Sequence, residues 1–107
     1  MRQSQTAVLE RGITLDDVIH TEPFETAWAS EARWFVHFLD PEAAGTVAVQ
    51  AQVSPNGIQW VDHESDAVTI DAPHLGTGTI RDFGGWLRFT ITGDTSPLIK
   101  VVLALKE

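Results

Sequence analysis

Apolar and polar residues alternate with a period of two along much of the chain. Val47, Val49, Ala51 and Val53 share one parity, and Thr46, Gln50 and Gln52 take the other, which is the pattern of a strand with one buried face. At Ser54-Pro55-Asn56-Gly57, proline presets φ for a turn and Asn-Gly accepts the positive φ that follows. Ile58, Trp60 and Asp62 then alternate with Gln59 and Val61, so the pattern predicts a hairpin over residues 45–62 with a four-residue connection. A second pair is cleaner. Leu87, Phe89 and Ile91 point inward with Trp86, Arg88, Thr90 and Thr92 outward; after Gly93-Asp94-Thr95-Ser96-Pro97, Ile99, Val101, Leu103 and Leu105 return on one parity, with Lys100 and Lys106 on the other.

Between these landmarks the pattern is looser. Residues 33–39, RWFVHFL, are apolar on both parities, which predicts a central strand covered on both sides or carrying an oligomer contact on one. Residues 18–29 read as extended chain bent at Pro23, residues 67–70 as a short strand, and residues 71–78 as a Gly- and Pro-containing loop. Ala7, Leu9, Arg11 and Ile13 share a parity that Gly12 weakens, and the polar residues 1–6 are expected to fray. No apolar period of 3.6 residues extends past one turn. The expected fold is all-β: an antiparallel β-sandwich, jelly-roll-like, of seven to eight strands. One domain spans residues 18–107, preceded by a flexible or partner-contacting N-terminal arm over residues 1–17.

Composition narrows the function. With 107 residues there is room for one domain. A formal charge of −8, with only seven Lys and Arg scattered along the chain, argues against binding nucleic acid, which needs clustered cations. The first residues lack the apolar core of a signal peptide, and no run approaches the length needed to span a bilayer, so the expectation is synthesis in the cytoplasm and no membrane association. Cysteine is absent, which removes thiolate chemistry and disulfides.

Candidate chemistry is sparse. His20, His37, His63 and His74 form no pair at metal-ligand spacing, and His63-Glu64-Ser65-Asp66 reads as a solvated connection. No cofactor is expected; Asp62, Glu64, Asp66 and Asp71 hold the one place where carboxylates could gather calcium. Four tryptophans remain. Trp34 and Trp60 are expected in the core. Trp86, Arg88 and Thr90 on the outward parity of one strand, with Trp28, are the candidate interface or ligand residues, since an exposed Trp can anchor a protein contact or stack on a sugar. An enzyme is not expected.

The order of the pieces carries a resemblance. Leu39-Asp40, Gly45-Thr46, Ser54-Pro55-Asn56-Gly57 with Trp60, Trp86-Leu87-Arg88 and Gly93-Asp94-Thr95-Ser96-Pro97 resemble small β-sandwich structural proteins of tailed bacteriophage virions and prophage elements, over about the last seventy residues. The resemblance implies a non-enzymatic virion component, as head decoration, neck or tail. Such a protein works by assembly with other virion proteins and with itself as a homo-oligomer. The alternative is a carbohydrate-binding β-sandwich module using an exposed Trp.

Overall fold

The computed structural model describes residues 3–107. Its strands are β1 (Ser4–Thr14), β2 (Val18–His20), β3 (Phe24–Glu25), β4 (Glu31–Phe38), β5 (Thr46–Ser54), β6 (Val61–Asp62), β7 (Val68–Asp71), β8 (Gly76–Arg81), β9 (Trp86–Gly93) and β10 (Leu98–Lys106). They form two antiparallel sheets, ordered β1-β10-β4-β8 and β2-β9-β5-β6, with β3 also on β9 and β7 also on β5. Because β2 and β3 take one edge of β9 in turn, and β6 and β7 one edge of β5, ten segments fill eight strand positions. The positions run 1-8-3-6 and 2-7-4-5, the order of a jelly roll. The expected seven to eight strands are therefore these eight positions, two of them broken.

Each break has a local cause. Pro23 falls between β2 and β3 and has no N–H for the ladder. The buried Thr21 closes part of that gap, its amide donating to Phe89 O at 2.9 Å and its Oγ1 accepting from Phe89 N at 3.0 Å. Thr26, also buried, then donates through Oγ1 to Gly84 O at 3.0 Å. Between β6 and β7 the half-buried Gln50 spans the opening, its Nε2 donating to Ala51 O at 2.9 Å and His63 O at 3.2 Å.

The inward parity agrees with the alternation. Val47, Val49, Ala51, Leu87, Phe89, Ile91, Ile99, Val101, Leu103 and Leu105 are all buried between the sheets. Trp34 from one sheet meets Phe89 from the other with ring centroids 6.1 Å apart and planes tilted by 55°, a geometry aromatic pairs favour. Gly78 lies opposite Trp34 in the ladder, and a Cβ there would stand 2.6 Å from Trp34 Cζ2, so the ring lies across bare backbone. Trp34 is core, as expected.

Residues 76–78 are the start of β8 and not loop, because they pair with residues 34–36 of β4, and two further expectations change. The return strand after the Asn-Gly turn is only β6, and Ile58 is 80% exposed. Side chains hold the loop instead: Ser54 Oγ accepts from Asn56 N and Gly57 N at 3.2 and 2.8 Å, and Asn56 Oδ1 accepts from Ile58 N and Gln59 N at 2.9 and 3.0 Å. These local bonds satisfy the backbone and remove its need for a cross-strand partner. The second change is at the N-terminus. Residues 4–14 are not a flexible arm but the edge strand β1, paired with β10 from Ser4↔Lys106 to Thr14↔Leu98. Leu9 and the following Leu15 are buried, and register shifts between Val8 and Ile13 absorb the broken alternation around Gly12. Met1 and Arg2 lie outside the described residues.

Candidate functional site

Each sheet turns one face inward and one outward, and the two outer faces differ. On the sheet of β9 and β5, register places Trp86 beside Ser54 and Glu25, Arg88 beside Gln52, and Thr90 beside Gln50 and His20. Three of the four expected interface residues, Trp86, Arg88 and Thr90, thus share one face, and all three are half-buried. Their partners are intramolecular. Arg88 Nε donates to Gln52 Oε1 at 2.8 Å, and its guanidinium lies 4.4 Å from the centroid of the Trp60 ring, a cation–π stack. Partial desolvation there lowers the Arg88 pKa. Gln52 Nε2 donates to Asp62 Oδ1 at 2.9 Å, and His20 Nδ1 lies 2.9 Å from Thr90 Oγ1. Gly57, at φ +77°, sets its backbone on the Trp86 ring, where a Cβ would stand 3.3 Å from Cδ2. Trp60 is therefore half-buried beneath Arg88 and not in the core. Trp28 is apart from this group, in the loop between β3 and β4, and packs against the core.

The connection at residues 63–66 is solvated as read, with Glu64 and Asp66 exposed, and it is also tied down. Ser65 N donates to His63 Nδ1 at 3.0 Å, which fixes that nitrogen as acceptor and leaves Nε2–H to donate to Arg81 O at 2.7 Å. His63 thereby bridges the end of β6 to the end of β8 in the other sheet. Among the described residues no group of three or more His, Asp or Glu is placed to hold a metal ion, so Asp62, Glu64, Asp66 and Asp71 do not converge on a site.

The outer face of the other sheet is open. Register aligns Val8, Val102, Phe35 and Thr77 in one row across β1, β10, β4 and β8. Val8 is 40% exposed, and Val102 and Phe35 are half-buried. Flanking rows bring up Ala104, Arg33 and Thr79, then Lys106, Glu31 and Arg81, and on the other side Lys100 and His37. A depression of about 420 Å³ lies here, lined by Phe35, Ala104, Arg33, Arg81, Lys106 and Glu31 among others. Arg81 pairs with Glu31 at 3.0 Å and Arg33 NH1 donates to Thr77 Oγ1 at 3.1 Å, whereas Lys100 and Lys106 have no ion-pair partner among the described residues. Four of the chain's seven Lys and Arg meet on this face. Their spacing in sequence hides the grouping. The one sequence signal was the apolar residue on the outward parity of residues 33–39, Phe35, which is the oligomer-contact half of that reading.

No family model matches the sequence, and no curated protein matches it. Solved structures do. The PBSX exported protein XepA aligns with a TM-score of 0.66 at 12% identity over 94% of this chain, and the chain spans 36% of XepA's length. The SPBc2 prophage-derived protein YomS aligns at 0.64 and 8% identity, over 100% of this chain and 96% of YomS. A protein of Bacillus endospore appendages, described as disulfide-linked pili, aligns at 0.62 and 10% identity, over 99% of this chain and 88% of that one. The chain thus has the antiparallel β-sandwich fold of structures that include prophage proteins and a pilus protein.

Proposed function

We propose that this protein is a non-enzymatic structural component of a phage or prophage particle, working by protein–protein assembly as a head decoration, neck or tail element and residing in the virion. The observation that carries the reading is the outer face of β1, β10, β4 and β8, where an apolar row ending in Phe35 lies among Arg33, Arg81, Lys100 and Lys106, the two lysines without an ion-pair partner among the described residues. An exposed apolar strip with a charged rim is the surface of a protein contact. XepA and YomS, whose names place them with PBSX and the SPBc2 prophage, and the pilus protein share the fold and support the reading.

The alternative of a sugar-binding module rests on Trp86 and Trp60. Gly57 covers Trp86 on one side and Arg88 caps Trp60, which supports assembly over stacking on a pyranose. Light scattering on a gel-filtration column, at protein concentrations on the order of ten micromolar, tests the two. The expected result is a stable oligomer; a strict monomer whose Trp fluorescence responds to a polysaccharide would overturn it.

A further inference from the structure

The net charge of −8 conceals a polar distribution. The outer face just described gathers Arg33, Arg81, Lys100 and Lys106, and the register of β4, β8 and β10 brings one carboxylate, Glu31, among them. The opposite character appears where four connections meet at the end of the sandwich from which β10 starts. Their contact is set by backbone and side-chain bonds: Leu15 N to Pro97 O at 2.8 Å, Gly93 N to Asp17 O at 3.3 Å, Thr95 Oγ1 to Ala44 O at 2.8 Å, and Ala72 N to Gly45 O at 3.0 Å. Those connections and their flanks carry Asp16, Asp17, Asp40, Glu42, Asp71 and Asp94, all exposed, and no Lys or Arg. A depression of about 400 Å³, lined by Asp40, Ala43, Ala44, Thr95, Pro97 and Leu98, opens there.

β10 joins the two regions. It begins at Leu98 beside the acidic depression and ends at Lys106 in the basic one. At roughly 3.3 Å per strand residue the acidic depression and the cluster of Arg33, Arg81 and Lys106 are about 20 Å apart or more, with Lys100 between them, well beyond a Debye length of about 8 Å at physiological salt. They cannot neutralise each other within one molecule. They can do so between molecules.

We propose that the basic outer face of β4, β8 and β10 receives the acidic loop end of a second copy, so that copies associate head to tail. This deepens the assembly reading and rests on it. Phe35, Val102 and Ala104 supply the apolar floor that an ion-pair rim alone would lack, and the exposed Leu98 at the acidic end supplies an apolar residue to set on it. The contact is heterologous, joining two different patches, so it closes into a ring or continues as a filament and does not stop at a two-fold dimer. An anionic bilayer is the other acidic surface such a face could meet, but the remainder of the molecule, with fourteen carboxylates against three Lys and Arg, would be repelled by it.

A charge swap on the full chain tests this. One variant carries Arg33→Glu with Lys106→Glu; the other carries Asp16→Lys with Glu42→Lys. All four side chains are on the surface, and circular dichroism checks that each variant keeps its β-sheet signal. Sedimentation velocity is expected to show self-association of the wild type that weakens between about 0.05 and about 0.5 M salt. Each variant alone should lose roughly tenfold or more in association, because like charges then face each other. Mixing the two should restore a complex, since the unaltered end of one variant still fits the unaltered face of the other. Variants that assemble as the wild type does would overturn the head-to-tail contact while leaving assembly itself standing. A wild type that stays monomeric at every salt and concentration would overturn both. Recovery of the wild type on phosphatidylserine vesicles, lost in the Arg33→Glu, Lys106→Glu variant, with no self-association, would assign the face to a membrane and likewise overturn the proposal.

Discussion

The two outer faces of this sandwich are built from the same kinds of residue and do opposite things with them. On the β9–β5 face, Arg88, Gln52, Asp62, Trp60, His20 and Thr90 are paired with one another. On the β4–β10 face, Phe35 and Val102 lie half-open and two lysines lack ion-pair partners among the described residues. The difference teaches that outward parity and residue type do not identify an interface. What counts is whether neighbouring strands bring each side chain a partner. A Trp and an Arg on an exposed strand face can be wholly occupied with holding down their own loop.

The comparison can be broken most directly within β4, whose adjacent residues face opposite ways. Trp34→Ala removes the ring that meets Phe89 and lies over Gly78, and should lower unfolding stability by about 3–5 kcal/mol. Phe35→Ala, one residue on, should cost under about 1.5 kcal/mol yet abolish the oligomer expected in light scattering. If the two cost the same in a urea melt, the outer face is packed and not open. Next in size is Thr21→Val, which leaves Phe89 N buried without its 3.0 Å acceptor. A loss of about 1–3 kcal/mol is expected, and it should be unaccompanied by any change in assembly.

Smaller still is Arg88→Ala. Removing the stack on Trp60 and the bond to Gln52 should destabilise by about 1 kcal/mol and red-shift tryptophan emission as Trp60 gains water. Assembly should survive; its loss would move the interface to the β9 face. The smallest effect belongs to Glu10. Burial raises its pKa above 4.5, opposed by its hydrogen bond from Glu22 N and aided by the Glu22 charge. The native state then holds a proton that the unfolded chain has released, so this residue's contribution to stability falls as pH climbs from 4.5 through the raised value. Glu10→Gln should therefore stabilise the protein slightly at neutral pH and leave it unchanged at acid pH, as read by paired thermal melts.

What the sequence discloses follows from the range of the interactions. The faces of β9 and β10 are legible because period-two alternation needs no knowledge of the partner strand: Leu87, Phe89 and Ile91, and Ile99 to Leu105, are buried as read. The loop after Ser54 reads as strand because Ile58 and Trp60 alternate correctly, while the deciding bonds run from nearby amides to the Ser54 and Asn56 side chains. β1 reads as part of an arm because Gly12 breaks the alternation, and only the bulged pairing with β10 repairs it. The basic face was invisible for a deeper reason: Arg33, Arg81 and Lys106 become neighbours only through the β10-β4-β8 order, which no local pattern encodes. Trp86, Arg88 and Thr90 share one face and Trp28 lies apart from them, because parity holds within a strand and fails in a loop.

The pairing of Ser4 with Lys106 also governs how the molecule comes into being. Of the ten strands β1 is made first and its partner last, so the longest strand waits for the other nine before its paired edge is satisfied. Closing nearly the entire chain into one loop makes this among the most costly contacts to form early, and topologies dominated by such contacts fold slowly. The β5–β9 and β4–β8 pairings enclose shorter loops and can form sooner. The apolar inner side of β10 therefore has β4 to dock on as it emerges, and β1 seals the edge afterwards.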